Sequence, residues 1–399
     1  MWSLTPMRKL LIICLLAFAP IRPGLAWTDG ELLVWMDADR APAVGQIAQR
    51  FERTLGIKVR IETPEKITDD FPIAAQAGKG PDIVIWAHDK VGEWADAGII
   101  APVDVSSDFR NRFFPKAWEA VTHDKQVWGY PLCFEVVSLI YDRALLDGPP
   151  PSQLSDLVAL NQRIKERNPS VTSILWDYSS PYYSWGILAS AGAYVYAKTD
   201  DGYDIKNVGV ANRGAVEALD EITHLVRAGV LPKIVSSTAA PKEMMAQGKL
   251  AMMISGPWDW PDLMKNGIDF GVAPIPGVNG QPGKAFVGVS VAYLNRSSPN
   301  RDVAKEFLEH YLITEEGLSV ANHAKPIGIP ALISLYNKLA QNDSLLQQMK
   351  VCADDGDVMP NIPQMGRFWS SMASAMQIAT TGQSSAQAAL SEAKTTMLK

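Results

Sequence analysis

Apolar runs of strand length alternate with helical patterns along the first third of the chain. The spacing of apolar positions predicts strands at 32–36, 57–62 and 82–86, a helix from Pro42 to Gly56, and a helix at 66–77 interrupted by Pro72. Strands and helices in this alternating order build mostly parallel sheets with helices on both faces. The chain is therefore predicted to be an α/β protein.

The second half of the chain is less regular. Its pattern predicts strands at 136–141, 171–176, 251–255 and 286–294, helices at 154–166 and 214–228, and an almost entirely helical region from Arg301 onward. The length of 399 residues favours two domains at about 150 residues per domain. Because no stretch reads as an interdomain linker, we expect the chain to cross between the two domains more than once.

Composition narrows the classes of function. The chain is 47% hydrophobic and 20% charged, which is typical of a globular protein with a large core. Its 37 basic and 43 acidic residues give a formal charge of −6, which argues against a nucleic-acid partner.

The N-terminus carries the features of a secretory signal. Arg8 and Lys9 precede an apolar stretch at 10–19, and small residues at 24–26 suit cleavage near Ala26. Ten apolar residues are too few to span a bilayer, which takes about 20. The mature protein is therefore predicted to be exported without a membrane anchor.

Cys133 and Cys352 are the two cysteines beyond the predicted signal. Their separation leaves two arrangements open, a disulfide or a pair of buried free thiols, and we favour the thiols.

Several kinds of chemistry leave no local motif here. The chain has no glycine-rich phosphate loop that opens a helix and no Gly-x-Ser-x-Gly turn, and its five histidines lack metal-ligand spacing. We therefore expect neither a metal site nor a cofactor. Two distant carboxylates could still meet in space, so a glycoside hydrolase remains an alternative.

Aromatic and charged residues follow two of the predicted strands. Asp39 and Arg40 follow the first strand, and Trp86 stands before Asp89 and Lys90 at the end of the third. Ligands of open α/β sheets bind beyond the carboxyl ends of the strands. Because an aromatic face suits the C–H face of a sugar ring and charged groups suit its hydroxyls, these clusters favour a carbohydrate ligand.

With these residues in view, the mature chain resembles the periplasmic maltose/maltodextrin-binding proteins, the solute receptors of ABC importers. The resemblance rests on blocks spread over the whole mature chain, which are 80–89, 130–141, 203–210, 256–258, 286–289 and 359–365. It implies two α/β lobes, each with a mostly parallel sheet flanked by helices, and a sugar between them. It places one lobe at 27–134 and 292–338, the other at 138–286 and 345–399, and hinge crossings at 135–137, 287–291 and 339–344.

The resemblance also implies the residues of the site. The matching positions are polar sugar contacts at Asp39, Arg40, Asp89, Lys90 and Glu135, aromatic platforms at Trp86, Tyr182, Trp258 and Trp369, and further cleft contacts at Pro181 and Met359. The chain departs from the family pattern where Thr68, Ser180, Ser370 and Ala373 replace larger polar side chains, chiefly at the outer edge of the cleft.

The function implied by the resemblance is capture without catalysis. A monomeric receptor of this kind binds maltose or a related oligosaccharide, closes around it and delivers it to membrane-embedded permease subunits. Two alternatives stay open at this point. One is the same fold retuned to another solute such as trehalose, and the other is a secreted hydrolase that uses Asp89 and Glu135.

Overall fold

The computed structural model describes residues 27, 30–199, 202–235, 237, 239–324 and 326–399, so the predicted signal at 1–26 lies outside the described residues. Its strands are β1 Glu31–Trp35, β2 Lys58–Glu62, β3 Ile83–Ala87, β4 Thr122–His123, β5 Gln126–Val127, β6 Tyr130–Val136, β7 Ser138–Asp142, β8 Thr172–Leu175, β9 Tyr196–Thr199, β10 Gly202–Val208, β11 Leu250–Ser255, β12 Phe270–Ala273, β13 Phe286–Leu294, β14 Ile329–Pro330 and β15 Asp357–Val358.

The helices cover the sheets and make up most of the C-terminal region. They are α1 Ala41–Leu55, α2 Ile67–Gln76, α3 Val91–Asp96, α4 Ser107–Arg110, α5 Pro115–Ala120, α6 Leu157–Arg167, α7 Pro181–Ser190, α8 Arg213–Arg227, α9 Ala240–Ala246, α10 Trp260–Lys265, α11 Arg301–Phe307, α12 Glu315–Ala324, α13 Ile333–Ala340, α14 Ser344–Asp355, α15 Met365–Thr380 and α16 Ala386–Met397. Short 3₁₀ turns at His88–Lys90 and Pro257–Asp259 follow β3 and β11.

Helix α1 shows how closely the local pattern determines an element. Pro42 lies in its first turn, and Val44, Ile47 and Phe51 bury one face of the helix. Gly56 ends the helix in the left-handed conformation, with φ at 70°, which a residue without a side chain adopts most readily. The sequence prediction for this helix is confirmed.

Two sheets form the framework of the two lobes. The first has the order β14-β6-β13-β3-β1-β2, with β15 also paired to β13, and the second has the order β12-β7-β11-β8. The hairpin β9–β10 and the short pair β4–β5 stand apart from both sheets. Helices α15 and α16 pack on α8, so the C-terminal region returns to the second lobe.

The two-lobed α/β architecture is confirmed, but the expectation of mostly parallel sheets is wrong. Strand β1 runs parallel to β2 and β3, whereas β13 runs antiparallel to both β3 and β6. In the second sheet β11 is parallel to β8 and antiparallel to β7. Both sheets are mixed because strands such as β13 enter from the other lobe instead of through a β-α-β crossover.

Two local predictions also need correction. Pro72 does not interrupt α2, because the helix continues through it from Ile67 to Gln76, although the missing N–H removes one intrahelical bond at the middle of the helix. The predicted single strand at 136–141 is two strands, β6 and β7, in different sheets. Only Val137 separates them, so the apolar run continues while the chain changes lobes.

Among the described residues, no helix is long and apolar enough to cross a membrane. Cys133 and Cys352 are both buried free thiols, in agreement with the arrangement favoured from the sequence.

Candidate functional site

Strand direction brings the charged residues of the first lobe to one edge of its sheet. The parallel strands β1 and β3 end there, and they are followed by Arg40 and Asp89 respectively. Because β13 is antiparallel to β3 and to β6, the C-terminal end of β6, which carries Glu135, lies at the same edge. The three charged side chains therefore come from separate strands but share one end of the sheet.

The second lobe presents its aromatic residues at the edge that faces this one. Trp258 follows the end of β11, and Tyr182 lies in the first turn of α7, after Pro181. Strand β7 begins at this edge, since Ser138 pairs with Ser255 at the end of β11. With one residue between β6 and β7, the two edges adjoin, and the space between them is the candidate site.

Three aromatic rings form a cluster on the second lobe. The ring centroid of Tyr182 lies 6.3 Å from that of Trp258 and 6.5 Å from that of Trp369. Trp369 packs edge-on against Phe286 and Phe368, which are both buried. The three clustered rings pack against the core but remain partly exposed, so the exposed part of each ring is available to a ligand.

Trp369 and Asp89 approach each other from the two edges. The side chain of Trp369 lies close enough to the carboxylate of Asp89 to lower the pKa of that group. Burial is the larger effect and raises the pKa of Asp89 to about 6, against the lowering effects of Lys90 and Trp369. Burial also raises the pKa of Tyr182, with smaller contributions from the negative charges of Glu135 and Asp89, which places this ring near both acids.

An ion pair lies at the base of the site. Arg40 Nη2 donates to Glu135 Oε1, and Arg40 Nη1 lies 3.8 Å from Asp37 Oδ2. Arg40 Nε is buried and has no hydrogen-bond partner within the described chain. The pair holds Glu135 in place at the edge of the sheet.

The remaining predicted site residues occupy varied positions. Trp86 is partly exposed near the end of β3, Met359 and Pro181 are buried, and Asp39 is exposed. Lys90 donates to Glu93 on the adjoining helix over 2.8 Å. The structure thus brings together Arg40, Asp89, Glu135, Tyr182, Trp258 and Trp369. Within the described part of the chain, no ring contact joins Trp86 to this cluster.

Two serines that the sequence comparison marked as departures from the family pattern differ in how their hydroxyls are used. The hydroxyl of Ser370 donates within its own helix, to the carbonyls of Gly366 and Arg367 at 3.1 and 3.3 Å. Ser180 directly precedes α7, and its side chain makes no capping bond there.

His88, which no motif of the sequence marks as functional, lies directly beneath the site. It is fully buried, and burial lowers its pKa to about 4. Its Nδ1 lies 2.9 Å from the backbone nitrogen of Val289, and its Nε2 lies 2.9 Å from the carbonyl oxygen of Met359. Both partners are far away in the sequence, which explains why sequence reasoning missed this residue.

One group of possible metal ligands occurs in the described chain. Single ligand atoms of Asp96, His123 and Asp124 lie within 4.8 Å of one another, and both aspartates are exposed. His123 Nε2 lies 3.0 Å from Asp96 Oδ1, within hydrogen-bond distance, and this contact accounts for the group without a metal ion.

His88 and Asp89 should give the protein opposing pH dependences. The folded-state pKa of Asp89, about 6, exceeds its ordinary value of 3.8, so this residue adds stability as the pH falls through that interval. The folded-state pKa of His88, about 4, is below its ordinary 6.5, so this residue removes stability as the pH falls. Each shift corresponds to about 3 kcal/mol, and the two effects nearly cancel.

Replacing Asp89 by asparagine should expose the effect of His88. Between pH 6 and pH 4, the free energy of unfolding of Asp89→Asn should fall by about 2 kcal/mol more than that of the wild type, which is most of the full shift of Asp89. Urea denaturation across this pH range measures the difference. Equal slopes for the two proteins would show that Asp89 is not held in a desolvated position.

Comparison with known proteins assigns the chain to a family. Residues 37–317 match the family described as bacterial extracellular solute-binding protein, which is most of the chain. The chain belongs to this family. A galactooligosaccharide-binding protein of Bacillus subtilis (strain 168) is 26% identical over 375 residues, covering 92% of this chain and 88% of the relative.

Two further relatives of this solute-binding family are similar to the chain at the same level. A maltotriose-binding protein of Pyrococcus abyssi is 25% identical over 353 residues, covering 86% of this chain and 75% of its own. A maltooligosaccharide ABC transporter solute-binding lipoprotein of Streptococcus pneumoniae (strain ATCC BAA-255 / R6) is 25% identical over 376 residues, covering 92% and 87%. The relatives are thus named for different oligosaccharides.

Proposed function

We propose that this chain binds a maltose- or maltodextrin-type oligosaccharide between its lobes and delivers it to an ABC importer. The observation that carries the proposal is the cluster of partly exposed rings formed by Tyr182, Trp258 and Trp369, with centroid distances of 6.3 and 6.5 Å. The negative charges of Asp89 and Glu135 act on the Tyr182 ring, so this cluster combines aromatic faces with carboxylates.

The proposed site would hold a sugar through two kinds of contact. The faces of Trp369, Trp258 and Tyr182 pack against the C–H faces of successive sugar rings. Asp89 and Glu135 accept hydrogen bonds from hydroxyl groups, and Arg40 donates. The other predicted contacts are Asp39, Trp86, Lys90, Pro181 and Met359. These contacts bind the sugar and break no bond in it.

Closure of the lobes is the proposed response to binding. One lobe would comprise 27–134 and 292–338 and the other 138–286 and 345–399, with the crossings acting as hinges. Only the closed form offers a sugar both Asp89 and Trp369, so binding shifts the equilibrium toward that form. We propose that the exported, monomeric protein in its closed form is what the membrane-embedded permease subunits recognise.

A second sugar class is the alternative that the site itself suggests. The small residues Thr68, Ser180, Ser370 and Ala373 leave hydroxyls at the outer edge of the cleft to water. A compact disaccharide such as trehalose needs fewer contacts there than a long maltodextrin. The family relationship allows either preference, since its members differ in the oligosaccharides for which they are named.

Titration calorimetry with maltose, maltotriose, trehalose, a galactooligosaccharide and a cyclodextrin would test the proposal. We expect saturable binding of a maltose-type sugar, accompanied by a contraction in small-angle scattering. Binding of trehalose or the galactooligosaccharide alone would instead support the retuned site. If no glycan binds, the proposed function is wrong, and the release of reducing ends from maltodextrin would favour the hydrolase.

A further inference from the structure

His88 occupies a position that links the candidate site to the connections between the lobes. It begins the 3₁₀ turn that carries Asp89, directly after β3. Its ring is fully buried and contacts two backbone groups from distant segments, Val289 in β13 and Met359 after β15. Strand β13 includes the predicted crossing at 287–291, and the segment after β15 leads to the helix of Trp369.

The two bonds fix the protonation of the ring. A backbone N–H can only donate, so the bond from Val289 requires an unprotonated Nδ1. The carbonyl of Met359 can only accept, so Nε2 must carry the hydrogen. The imidazole is therefore neutral and held as a single tautomer by the backbones of two segments.

The segment that begins at Met359 forms hydrogen bonds to two other parts of the chain. The backbone N–H of Met359 donates to the carbonyl of Val287, and that of Gly92 in α3 donates to the carbonyl of Asn361 at 2.9 Å. A side chain at position 92 would not fit, because a Cβ there would lie 2.4 Å from the Asn361 oxygen. The amide of Asn361 donates to the carbonyls of Ala120 and Thr122. Hence His88 joins a rigid segment to β13.

We infer that His88 is a positioning residue for the sugar site, an inference that rests on the proposed function. By holding Val289 and Met359 together, the ring sets where the next residue, Asp89, stands relative to the crossing strand. The ring also fixes the start of the segment that leads from Met359 to Trp369 on α15. Loss of the ring should therefore disturb sugar binding through the placement of Asp89 and Trp369, although His88 itself touches no sugar.

The test compares His88→Gln with a control variant whose lost hydrogen bond lies at the opposite end of β3. Ser298 is buried and donates to Asp82 Oδ1 at 2.6 Å, immediately before β3, so Ser298→Ala removes a comparable buried hydrogen bond away from the site. We expect His88→Gln to weaken sugar binding by about tenfold or more, as measured by calorimetry. Ser298→Ala should lower the urea midpoint and leave the sugar affinity unchanged. Wild-type affinity in His88→Gln, or an equal loss of affinity in both variants, would overturn the inference.

The nitrogen chemical shifts of the His88 ring, measured by NMR in the wild-type protein, provide a second test that needs no variant. At neutral pH, the Nδ1 of His88 should show the shift of an unprotonated ring nitrogen and Nε2 that of a protonated one. Addition of sugar should shift both resonances and slow hydrogen exchange at the Val289 amide. Unchanged resonances on saturation with sugar would overturn the positioning role. If no glycan binds the wild type, the proposed function fails, while a ring that exchanges between tautomers would contradict the geometry independently.

Discussion

Replacing Trp369 by alanine should weaken sugar binding by about 100-fold, or about 3 kcal/mol. The substitution removes one ring of the aromatic cluster and also the indole that lies near the carboxylate of Asp89. It further opens space beside Tyr182, whose ring packs near that of Trp369. Calorimetric titration of the variant with the sugar that binds the wild type most tightly measures the loss.

Two matched variants separate the loss of sugar stacking from a general loss of stability. Trp369→Phe keeps an aromatic face but loses the indole N–H, so we expect an intermediate loss of about tenfold. Trp128 is also partly buried and donates its indole N–H, to the carbonyl of His123 at 2.9 Å. Trp128→Ala should reduce stability without changing sugar affinity. A Trp369→Ala variant that binds as tightly as the wild type would refute the platform role.

Replacing Arg40 by methionine should lower the free energy of unfolding by about 3 kcal/mol, because it leaves the Glu135 carboxylate without its partner. The two side chains are only 15% and 19% exposed, so water replaces the lost interaction poorly. The double variant Arg40→Met/Glu135→Gln should recover most of this loss, since it leaves no charged carboxylate at position 135 without a partner. Urea denaturation of the wild type, the two single variants and the double variant completes the cycle.

A surface pair provides the comparison for this cycle. Arg213 and Glu217 lie one turn apart on α8 at 2.7 Å, and Arg213 is almost fully exposed. Arg213→Met should leave the urea midpoint close to that of the wild type. If Arg40→Met behaves in the same way, Glu135 is not fixed by the pair.

Local pattern was enough to predict most elements but not their pairing. Helix α1 could be recognised from its first-turn proline, its apolar face and its terminal glycine, which all lie within one short segment. The two-residue strands β14 and β15 offer no period to detect, and the antiparallel insertion of β13 depends on contacts between distant segments. The expectation of mostly parallel sheets failed for that reason.

The candidate site was predictable in its residue types and less so in its connections. Aromatic and charged residues at strand ends, together with the family pattern, pointed to Asp89, Trp258 and Trp369 from the sequence. The pairing of Arg40 with Glu135, which lie 95 residues apart, could not be derived from spacing. The same holds for His88, whose partners lie 201 and 271 residues further along the chain.

The place of β13 between β6 and β3 has a consequence for the order in which the chain can fold. The first sheet lacks a central strand until residue 294 has been synthesised, whereas the second sheet uses only residues 138–273. Because synthesis proceeds from the N-terminus, all strands of the second sheet are present before β13, the strand that joins β6 to β3 in the first sheet. The long loop that β13 must close makes the completion of the first sheet the kinetically demanding step.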